Sequence, residues 1–193
     1  KYAGEPCELV IGDRNTIREF CTFNIGSPGD VGVTRVGNDN WIMAYVHLAH
    51  DCKVGNHTIF ANSSQLAGHV HVDDWVILGG FTVVHQFCRL GAHSFTAMHS
   101  LLFADLPPFV MAQGQPAQPR SMNFEGLRRR GFTPERISAV KAMYKSLYRQ
   151  QLTLAQAQTE IELLTQKYPE AKSDVDMMIG FLQGTSPDRG IVR

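Results

Sequence analysis

A large apolar residue returns at every sixth position through the middle of the chain, and this period constrains the fold more than any other feature. The residues in this register are Val36, Ile42, Leu48, Val54, Phe60, Leu66, Val72, Leu78, Val84 and Leu90. An amphipathic helix buries a residue every three or four positions and a half-buried strand every second position, so neither pattern by itself sets a period of six. A hexapeptide repeat is typical of a parallel β-helix, in which each hexad supplies a short strand and a corner.

The fifth position of the same hexads supports this interpretation, because it is nearly always small. It is occupied by Val46, Cys52, Thr58, Ser64, Val70, Val76, Thr82, Cys88 and Ser94. With three hexads to a coil, residues about 18 apart lie in successive coils and stack at the strand spacing of about 4.8 Å. The repeat therefore predicts which residues are neighbours in three dimensions.

This register predicts that His50, Gly68 and Gln86 stack in one column, because each is third in its hexad. His69 and His85 should lie beside that column, and His47 at the corner that leads into it. The column therefore gathers polar groups on one side of the solenoid.

Two members of the column could carry out chemistry. His50 could take a proton from a hydroxyl, and a carboxylate such as Asp51 could fix its tautomer. Adjacent side chains of a strand point to opposite faces, so Asp51 would have to act through a bend or a neighbouring chain. Gly68 would leave its backbone N–H open to a substrate carbonyl, as an oxyanion donor requires. Its alternative role is a simple bend between strands.

Composition limits the possible partners and the location. The 193 residues include 18 basic and 18 acidic side chains, so no global charge favours nucleic acid or an anionic membrane. No apolar run is long enough for membrane insertion, and we expect a cytoplasmic protein. The four cysteines form no CxxC pair, and Cys52 and Cys88 take the small fifth position, so we expect reduced thiols.

Zinc is the rival explanation for the histidines, because trimeric β-helices can build a three-histidine site between subunits. His50, His69 and His85 lie about one coil apart along the axis, so they should not meet on one ion without a partner chain. We therefore expect no metal site.

The repeat is interrupted once and then ends. Gly and Pro break the register at 27–35, which indicates an extruded loop that serves as a lid, a subunit contact or a harmless insertion. Prolines within 107–119 end the coils. We predict a β-helix over 1–119, with its N-terminal coils missing, and a helical domain over 120–193.

Helix signals support that second domain. Thr133 followed by Pro134, Thr153 and Ser173 are the candidate N-caps of three short amphipathic helices. Before them comes a basic run, Arg128 to Arg130, which is either a solvated face or a receptor for phosphates or an acidic partner. Asn123 and Glu125 nearby could read the edge of a base or sugar.

Five segments together carry a specific resemblance. They are KYAGEP at the start, HLAHDC at 47–52, LAGHV at 66–70, VHQFC at 84–88 and NFEGLRRRGF at 123–132. The chain resembles the acyl-[acyl carrier protein]:UDP-N-acetylglucosamine O-acyltransferases of lipid A biosynthesis over essentially its whole length. The resemblance implies a homotrimer of left-handed parallel β-helices, each with a C-terminal helical domain, and active sites between subunits. Left-handed winding departs from the usual crossover rule, so the handedness rests on the resemblance alone.

The resemblance also implies the substrates and the residue roles. A 3-hydroxyacyl group on the phosphopantetheine of acyl carrier protein would pass to the glucosamine 3-hydroxyl of UDP-N-acetylglucosamine, without a further cofactor. His50 matches the general base, Asp51 its partner and Gly68 the oxyanion donor. The positions that match substrate contacts are Lys1 for the nucleotide phosphates, His47, His69, His85 and Gln86, and Asn123, Glu125, Arg129 and Arg130 near the nucleotide or the phosphopantetheine arm.

Two positions bear on specificity. Many family members have Ile-His-Arg-Gly where this chain has Phe-Asn-Ile-Gly at 23–26, which leaves open a variant acceptor with a 3-amino group. Met98 matches the position that limits acyl length, and it lies eight hexads beyond His50, or about 13 Å along the axis. We therefore expect a donor of about ten carbons, the extended length that fits this distance. Alternatively, Met98 merely fills the core.

Other functions remain as alternatives. The enzyme alternatives are the N-acyltransferase of the same pathway, a CoA-dependent acetyltransferase and a zinc-dependent γ-carbonic anhydrase. A scaffold that binds a nucleotide sugar without consuming an acyl thioester is the non-catalytic alternative.

Overall fold

A computed structural model describes residues 3–29 and 31–193, so the predicted phosphate contact Lys1 lies outside the described residues. Short strands run in sequence order through the first two thirds of the chain. Their bounds are β1 Glu8–Ile11, β2 Thr16–Ile17, β3 Thr22–Phe23, β4 Val33–Val36, β5 Trp41–Ile42, β6 His47–Leu48, β7 Lys53–Val54, β8 Ile59–Phe60, β9 Gln65–Leu66, β10 His71–Val72, β11 Ile77–Leu78, β12 Val83–Val84, β13 Arg89–Leu90, β14 Phe95–Thr96, β15 Leu101–Leu102, β16 Val110–Gly114 and β17 Ala117–Met122.

The strands form the three faces of a prism. Sheet A has the order β1-β4-β7-β10-β13, sheet B the order β2-β5-β8-β11-β14-β16-β17, and sheet C the order β3-β6-β9-β12-β15. Partners lie 18 residues apart, as with Arg35 and Lys53, which confirms the expected coil length. Across the interruption they lie 25 apart, as with Val10 and Arg35, so the loop adds seven residues to one coil.

The core of the prism follows the hexad pattern. First-position residues such as Leu48 and Leu66 and fifth-position residues such as Cys52 and Val70 are fully buried. Stacked apolar side chains therefore fill the interior, and the burial of this column of side chains is the main stabilising contribution, at about 25 cal/mol per Å² of apolar surface.

The corners depend on a backbone conformation that the hexad pattern did not reveal. The fourth hexad position has φ between 56° and 64° at every corner from Asp39 to His99, which is the left-handed region. Third-position residues lie in the turns beside it, so His50 and Gly68 stand at a corner of the prism rather than on a flat face. His47 lies in strand β6, and the expectation that it occupies a corner was wrong.

The solenoid ends in a hairpin. Strand β16 continues sheet B in parallel with β14, and β17 returns antiparallel to β16. The predicted division between residues 119 and 120 falls inside β17, which extends to Met122.

Four helices follow, with bounds α1 Phe124–Arg129, α2 Pro134–Tyr148, α3 Leu154–Lys167 and α4 Lys172–Gln183, and a 3-10 turn at Pro169–Ala171 precedes α4. Thr133 and Thr153 cap α2 and α3 as predicted. The predicted cap at Ser173 is wrong, because α4 continues from the 3-10 turn without a side-chain cap, and Ser173 lies inside the helix. Within the described residues no helix is both long and apolar enough to span a membrane.

Candidate active site

His50 and Asp51 form a hydrogen-bonded pair at the corner that joins sheet C to sheet A. Nδ1 of His50 lies 2.9 Å from Oδ2 of Asp51. The contact is possible because Asp51 has φ 59°, so the chain turns between the two residues and both side chains reach the same side. No neighbouring chain is needed for the contact, which answers the objection based on strand alternation. The His50 side chain is 47% exposed, whereas the Asp51 carboxylate is fully buried.

The surroundings of Asp51 fix its charge and the tautomer of His50. Burial alone would raise the pKa of the Asp51 carboxyl, but hydrogen bonds from His50 and from the Ser27 N–H, together with the nearby His69, outweigh burial and lower that pKa. An ionised carboxylate only accepts hydrogen bonds, so Nδ1 of His50 is the donor. In the neutral imidazole this tautomer leaves Nε2 of His50 as the nitrogen that can accept a proton.

Gly68 lies directly against this imidazole. A Cβ on Gly68 would fall 2.6 Å from Cε1 and 2.8 Å from Nε2 of His50, closer than any side chain tolerates. The Gly68 N–H donates to no backbone or side-chain acceptor among the described residues. A proton acceptor and a backbone amide thus meet at one corner, as the 18-residue spacing predicts.

His69 completes this corner in the next coil. Its Nε2 lies 3.9 Å from Oδ2 of Asp51, and its ring meets the His50 ring edge-on at 5.0 Å. The Phe87 ring stacks on the other face of His69 with centroids 4.5 Å apart. These two rings hold His69 against the Asp51 carboxylate.

Metal-ligating atoms also converge here. One ligand atom each from His50, Asp51 and His69 lies within 4.8 Å of the others. The group does not include His85, so the three histidines considered in the sequence do not meet here. His50 and His69 are instead joined by Asp51, which the left-handed corner brings in. The absence of a metal remains a prediction.

The remaining predicted contacts of this side lie around the same corner. Nδ1 of His47 is 2.8 Å from Oγ1 of Thr22 on the neighbouring strand of sheet C. Nδ1 of His85 lies 3.2 Å from the Gln86 carbonyl oxygen, and the exposed Gln86 is stacked one coil beyond Gly68 by the register. By the register of sheet C and its corner, these residues lie on the same side of the prism as His50.

The other predicted contacts lie elsewhere, at a cavity of about 300 Å³ over sheet B. Its lining consists of Asn123, Glu125, Gly126, Arg129 and Arg130 above the apolar side chains of Ile59, Ile77 and Phe95. Helix α1 lines one wall of this cavity. The site residues predicted from the sequence therefore form two groups on different sides of the prism.

Several members of the second group hold the helix in place. The Asn123 side chain caps α1 and donates to the His93 carbonyl oxygen at 3.0 Å. Arg130 donates to the Trp75 carbonyl oxygen at 3.1 Å and lies over the Trp75 ring. Glu125 pairs with Arg128, and Arg129 is exposed. Arg129 is thus the exposed basic member of this group.

Met98 lies at a third place, the corner between sheets B and C, and not in the column of His50. Its spacing of eight hexads is not a whole number of coils, so the axial distance to His50 does not describe one straight groove within one chain. Met98 is 69% exposed, which excludes the core-filling alternative in this chain.

Comparison with known proteins decides the family. Two family models match, described as Udp N-acetylglucosamine O-acyltransferase, domain 2, over residues 105–192 and bacterial transferase hexapeptide (six repeats) over residues 34–68. An acyl-[acyl-carrier-protein]--UDP-N-acetylglucosamine O-acyltransferase of Albidiferax ferrireducens is 76% identical over the whole chain, which covers 73% of that protein. The chain belongs to this family of acyltransferases. A relative of the same name in Thiobacillus denitrificans is 58% identical over the whole chain, which covers 72% of it.

Solved structures agree with this family assignment. LpxA from Acinetobacter baumannii has a TM-score of 0.92 at 39% identity, and the match covers all of this chain and 72% of that one. A UDP-N-acetylglucosamine acyltransferase of Francisella novicida has a TM-score of 0.91 at 40% identity, covering all of this chain and 68% of that one. The expected left-handed parallel β-helix followed by helices is confirmed, as is the expected enzyme class.

Sequence reasoning missed four residues that contact the predicted site residues of this corner. Ser27 and Thr34 contact Asp51, Thr22 contacts His47, and Phe87 stacks on His69. Phe87 had a usable signal, because it lies 18 residues beyond His69, and so did Thr34, because it takes the fifth hexad position 18 residues before Cys52. The others depend on the closure of the extruded loop or on a strand register shifted by that loop.

Proposed function

We propose that this acyltransferase moves a 3-hydroxyacyl group from acyl carrier protein to the 3-hydroxyl of the glucosamine of UDP-N-acetylglucosamine, the first step of lipid A biosynthesis. The observation that carries the proposal is the His50–Asp51 pair packed against the Gly68 backbone. The relatives are named for this pair of substrates.

The chemistry needs one proton acceptor and one oxyanion donor. Nε2 of His50 takes the proton of the sugar hydroxyl as its oxygen attacks the thioester carbonyl carbon, and the Gly68 N–H stabilises the resulting oxyanion. The C–S bond then breaks, and the proton on Nε2 passes to the leaving thiolate. Asp51 stabilises the imidazolium between these steps. The transfer is direct, with no covalent enzyme intermediate and no cofactor of the enzyme itself.

We also infer a homotrimer, because each chain holds the predicted site in two separate parts. The His50 corner lies between sheets C and A, whereas the α1 cavity lies over sheet B. Sheet B presents an outward column of apolar side chains in register, Trp41, Ile59, Ile77, Phe95 and Met111. An apolar column on a sheet face is a typical subunit contact. Packing sheet C of one subunit against sheet B of the next brings the two parts into one cleft.

In this cleft the subunit that contributes the α1 cavity would bind the donor, and the subunit that contributes His50 would supply the proton acceptor. The apolar floor of the α1 cavity suits part of an acyl chain or the pantetheine arm, and the exposed Arg129 suits a phosphate. Met98 could limit the acyl chain only if that chain runs between subunits. We propose a cytoplasmic location, since the four cysteines are free thiols.

The proposal is tested by offering 3-hydroxyacyl carrier proteins of several lengths with UDP-N-acetylglucosamine or its 3-amino analogue, and identifying the product by mass spectrometry. An acylated sugar nucleotide is expected. His50→Ala should lower kcat by at least about a hundredfold, whereas His57→Ala, at another corner, should not. Acetylation by acetyl-CoA alone, carbon dioxide hydration, or full activity of His50→Ala would contradict the proposal.

A further inference from the structure

The extruded loop leaves and rejoins the solenoid at a narrow neck beside Asp51. The Gly26 N–H donates to the Glu8 carbonyl oxygen at 3.0 Å, and the Glu8 N–H donates to the Gly32 carbonyl oxygen at 2.9 Å. A Cβ on Gly26 would fall 1.9 Å from the carbonyl carbon of Gly32 and 2.0 Å from the Val33 nitrogen. The two ends of the loop are therefore packed backbone against backbone.

Asp51 is held by both ends of this neck. On the outgoing side, the Ser27 N–H donates to both carboxylate oxygens of Asp51, each at 3.0 Å. On the returning side, the fully buried Thr34 accepts the Asp51 backbone N–H through Oγ1 at 2.8 Å. One contact holds the carboxylate and the other holds the backbone.

These contacts have a conformational consequence. A residue other than glycine in the left-handed region is less stable by about 1–2 kcal/mol than in its preferred regions, so surrounding contacts must maintain it at every corner. One coil further the backbone does so, since the His69 N–H donates to the His50 carbonyl oxygen at 3.0 Å, whereas at Asp51 the acceptor is the Thr34 hydroxyl. At φ 59° the Asp51 carboxylate reaches the imidazole of its own neighbour. In an extended conformation the two side chains would point to opposite sides.

We propose that Thr34 is a positioning residue, whose hydroxyl holds Asp51 in the left-handed corner that orients His50 for proton transfer. The inference rests on the proposed function and deepens it. It also assigns a role to the loop neck, which is to lock the acid–base pair rather than to contact substrate.

The test replaces the hydroxyl and nothing else. Thr34→Val keeps the shape of the side chain but leaves the buried Asp51 N–H without its acceptor. We expect kcat to fall about ten- to hundredfold, as for a catalytic group displaced by up to about 1 Å, while KM for both substrates stays within about twofold. Thr34→Ser keeps an acceptor oxygen and should retain most of the activity.

A pH profile separates positioning from general loss of structure. The pKa of Asp51 is lowered by its hydrogen bonds from His50 and Ser27, which outweigh burial. The acid limb of kcat/KM reports the base that must be unprotonated, which is His50 in the proposed mechanism. An imidazole that loses its carboxylate partner takes up a proton less readily, so the acid limb in Thr34→Val should move to lower pH. An unchanged limb in an active Thr34→Val enzyme would overturn the proposal.

Thr58→Val is the matched control. Thr58 is a fully buried threonine at the same fifth hexad position, and its hydroxyl bonds Oδ1 of Asn40 at 2.7 Å near a different corner. Its loss should lower the thermal midpoint and leave the pH profile unchanged. If both valine variants lose activity only in proportion to stability, Thr34 is structural and the proposal fails.

Failure of the proposed function would look different, because the wild-type protein would then be inactive with every donor. In that case a crystal structure of Thr34→Val, or of Thr34→Ala if the first does not fold, still gives an answer. The His50 Nδ1 to Asp51 Oδ2 distance should exceed the hydrogen-bond range of about 3.5 Å. A distance that remained at 2.9 Å would refute the inference.

Discussion

Asp51 and Gly68 together decide how the His50 imidazole is presented. The left-handed φ of Asp51 allows a carboxylate and an imidazole adjacent in sequence to meet. One coil further, Gly68 leaves space for the same ring and keeps its N–H open. At the scale of the residue, the site is therefore built from backbone conformations that few side chains allow.

The glycine can be tested with a matched partner. Gly68→Ala puts a methyl group into the His50 ring, so we expect the imidazole to move and kcat to fall about 10²- to 10³-fold, the loss typical of an oxyanion donor. Gly80 is also third in its hexad, but a Cβ there would lie 3.4 Å from the nearest atom, an ordinary contact. Gly80→Ala should keep wild-type steady-state rates. Equal rates for both variants would remove Gly68 from the site.

His93 joins the solenoid to α1 and the segment that follows it. Its buried ring stacks between Trp75 and Phe109, and its carbonyl oxygen accepts the side-chain amide of Asn123. Burial lowers the pKa of His93 to about 4, and the neighbouring Arg130 and Arg136 contribute in the same direction. At the scale of the element, the helical part is thus attached through a histidine that must stay neutral.

The attachment predicts a pH dependence of stability. The folded pKa lies below the unfolded value of about 6.5, so the unfolded chain binds more protons between these values and stability falls as the pH drops from about 6.5 towards 4. The loss reaches roughly 3 kcal/mol at most. Across this pH range, the free energy of unfolding measured with urea should depend less steeply on pH in His93→Phe than in the wild type.

His57→Phe is the control, since His57 stacks on the other side of Trp75 but is only partly buried. It should keep the wild-type slope of unfolding free energy against pH. If His93→Phe keeps that slope as well, a group other than His93 causes the pH dependence of stability.

At the scale of the molecule, the apolar column of sheet B is predicted to be the contact surface between subunits. Ile77→Asp introduces a charge into the middle of the apolar column, so light scattering should detect monomers and activity should be lost. Lys53→Asp, on the outward face of sheet A, should leave the trimer intact. A trimeric Ile77→Asp protein would show that sheet B is not the contact surface.

Mixed subunits test whether two chains share one site. His50→Ala and Arg129→Glu should each be inactive alone, because each loses one part of the cleft. If the two parts come from different subunits, random trimers reassembled from both variants contain intact sites at about a quarter of the wild-type frequency. No recovered activity would mean that each chain holds its own complete site.

Met98 belongs to the same scale, because it can meet the acyl chain only across a subunit boundary. Met98→Gly should shift donor preference from about ten carbons to longer chains, since the exposed side chain would no longer fill the groove. Competition between donors of different length measures this directly. An unchanged preference would refute the role of Met98 as a length limit.

Particular residues show where sequence reasoning reached the structure. The pairing of His50 with Gly68 followed from the coil length, because every coil after the loop repeats the same 18-residue step. Thr133 and Thr153 were found because helix caps are local. Ser173 was misassigned because a preceding 3-10 turn already leads into α4. The contact of Ser27 with Asp51 could not be predicted, since no period relates a loop to a corner. Thr34, in contrast, lies in register 18 residues before Cys52, the neighbour of Asp51.

By itself, the sequence determined the solenoid, its coil length and the column that holds His50, because a repeat transmits one local geometry from coil to coil. Only the tertiary structure decided how that column works. The left-handed corner turned Asp51 towards His50, the loop neck closed over Asp51, and α1 came to rest on a different side of the prism. These outcomes depend on backbone dihedrals and on contacts between distant segments, which a six-residue pattern of side-chain types does not encode.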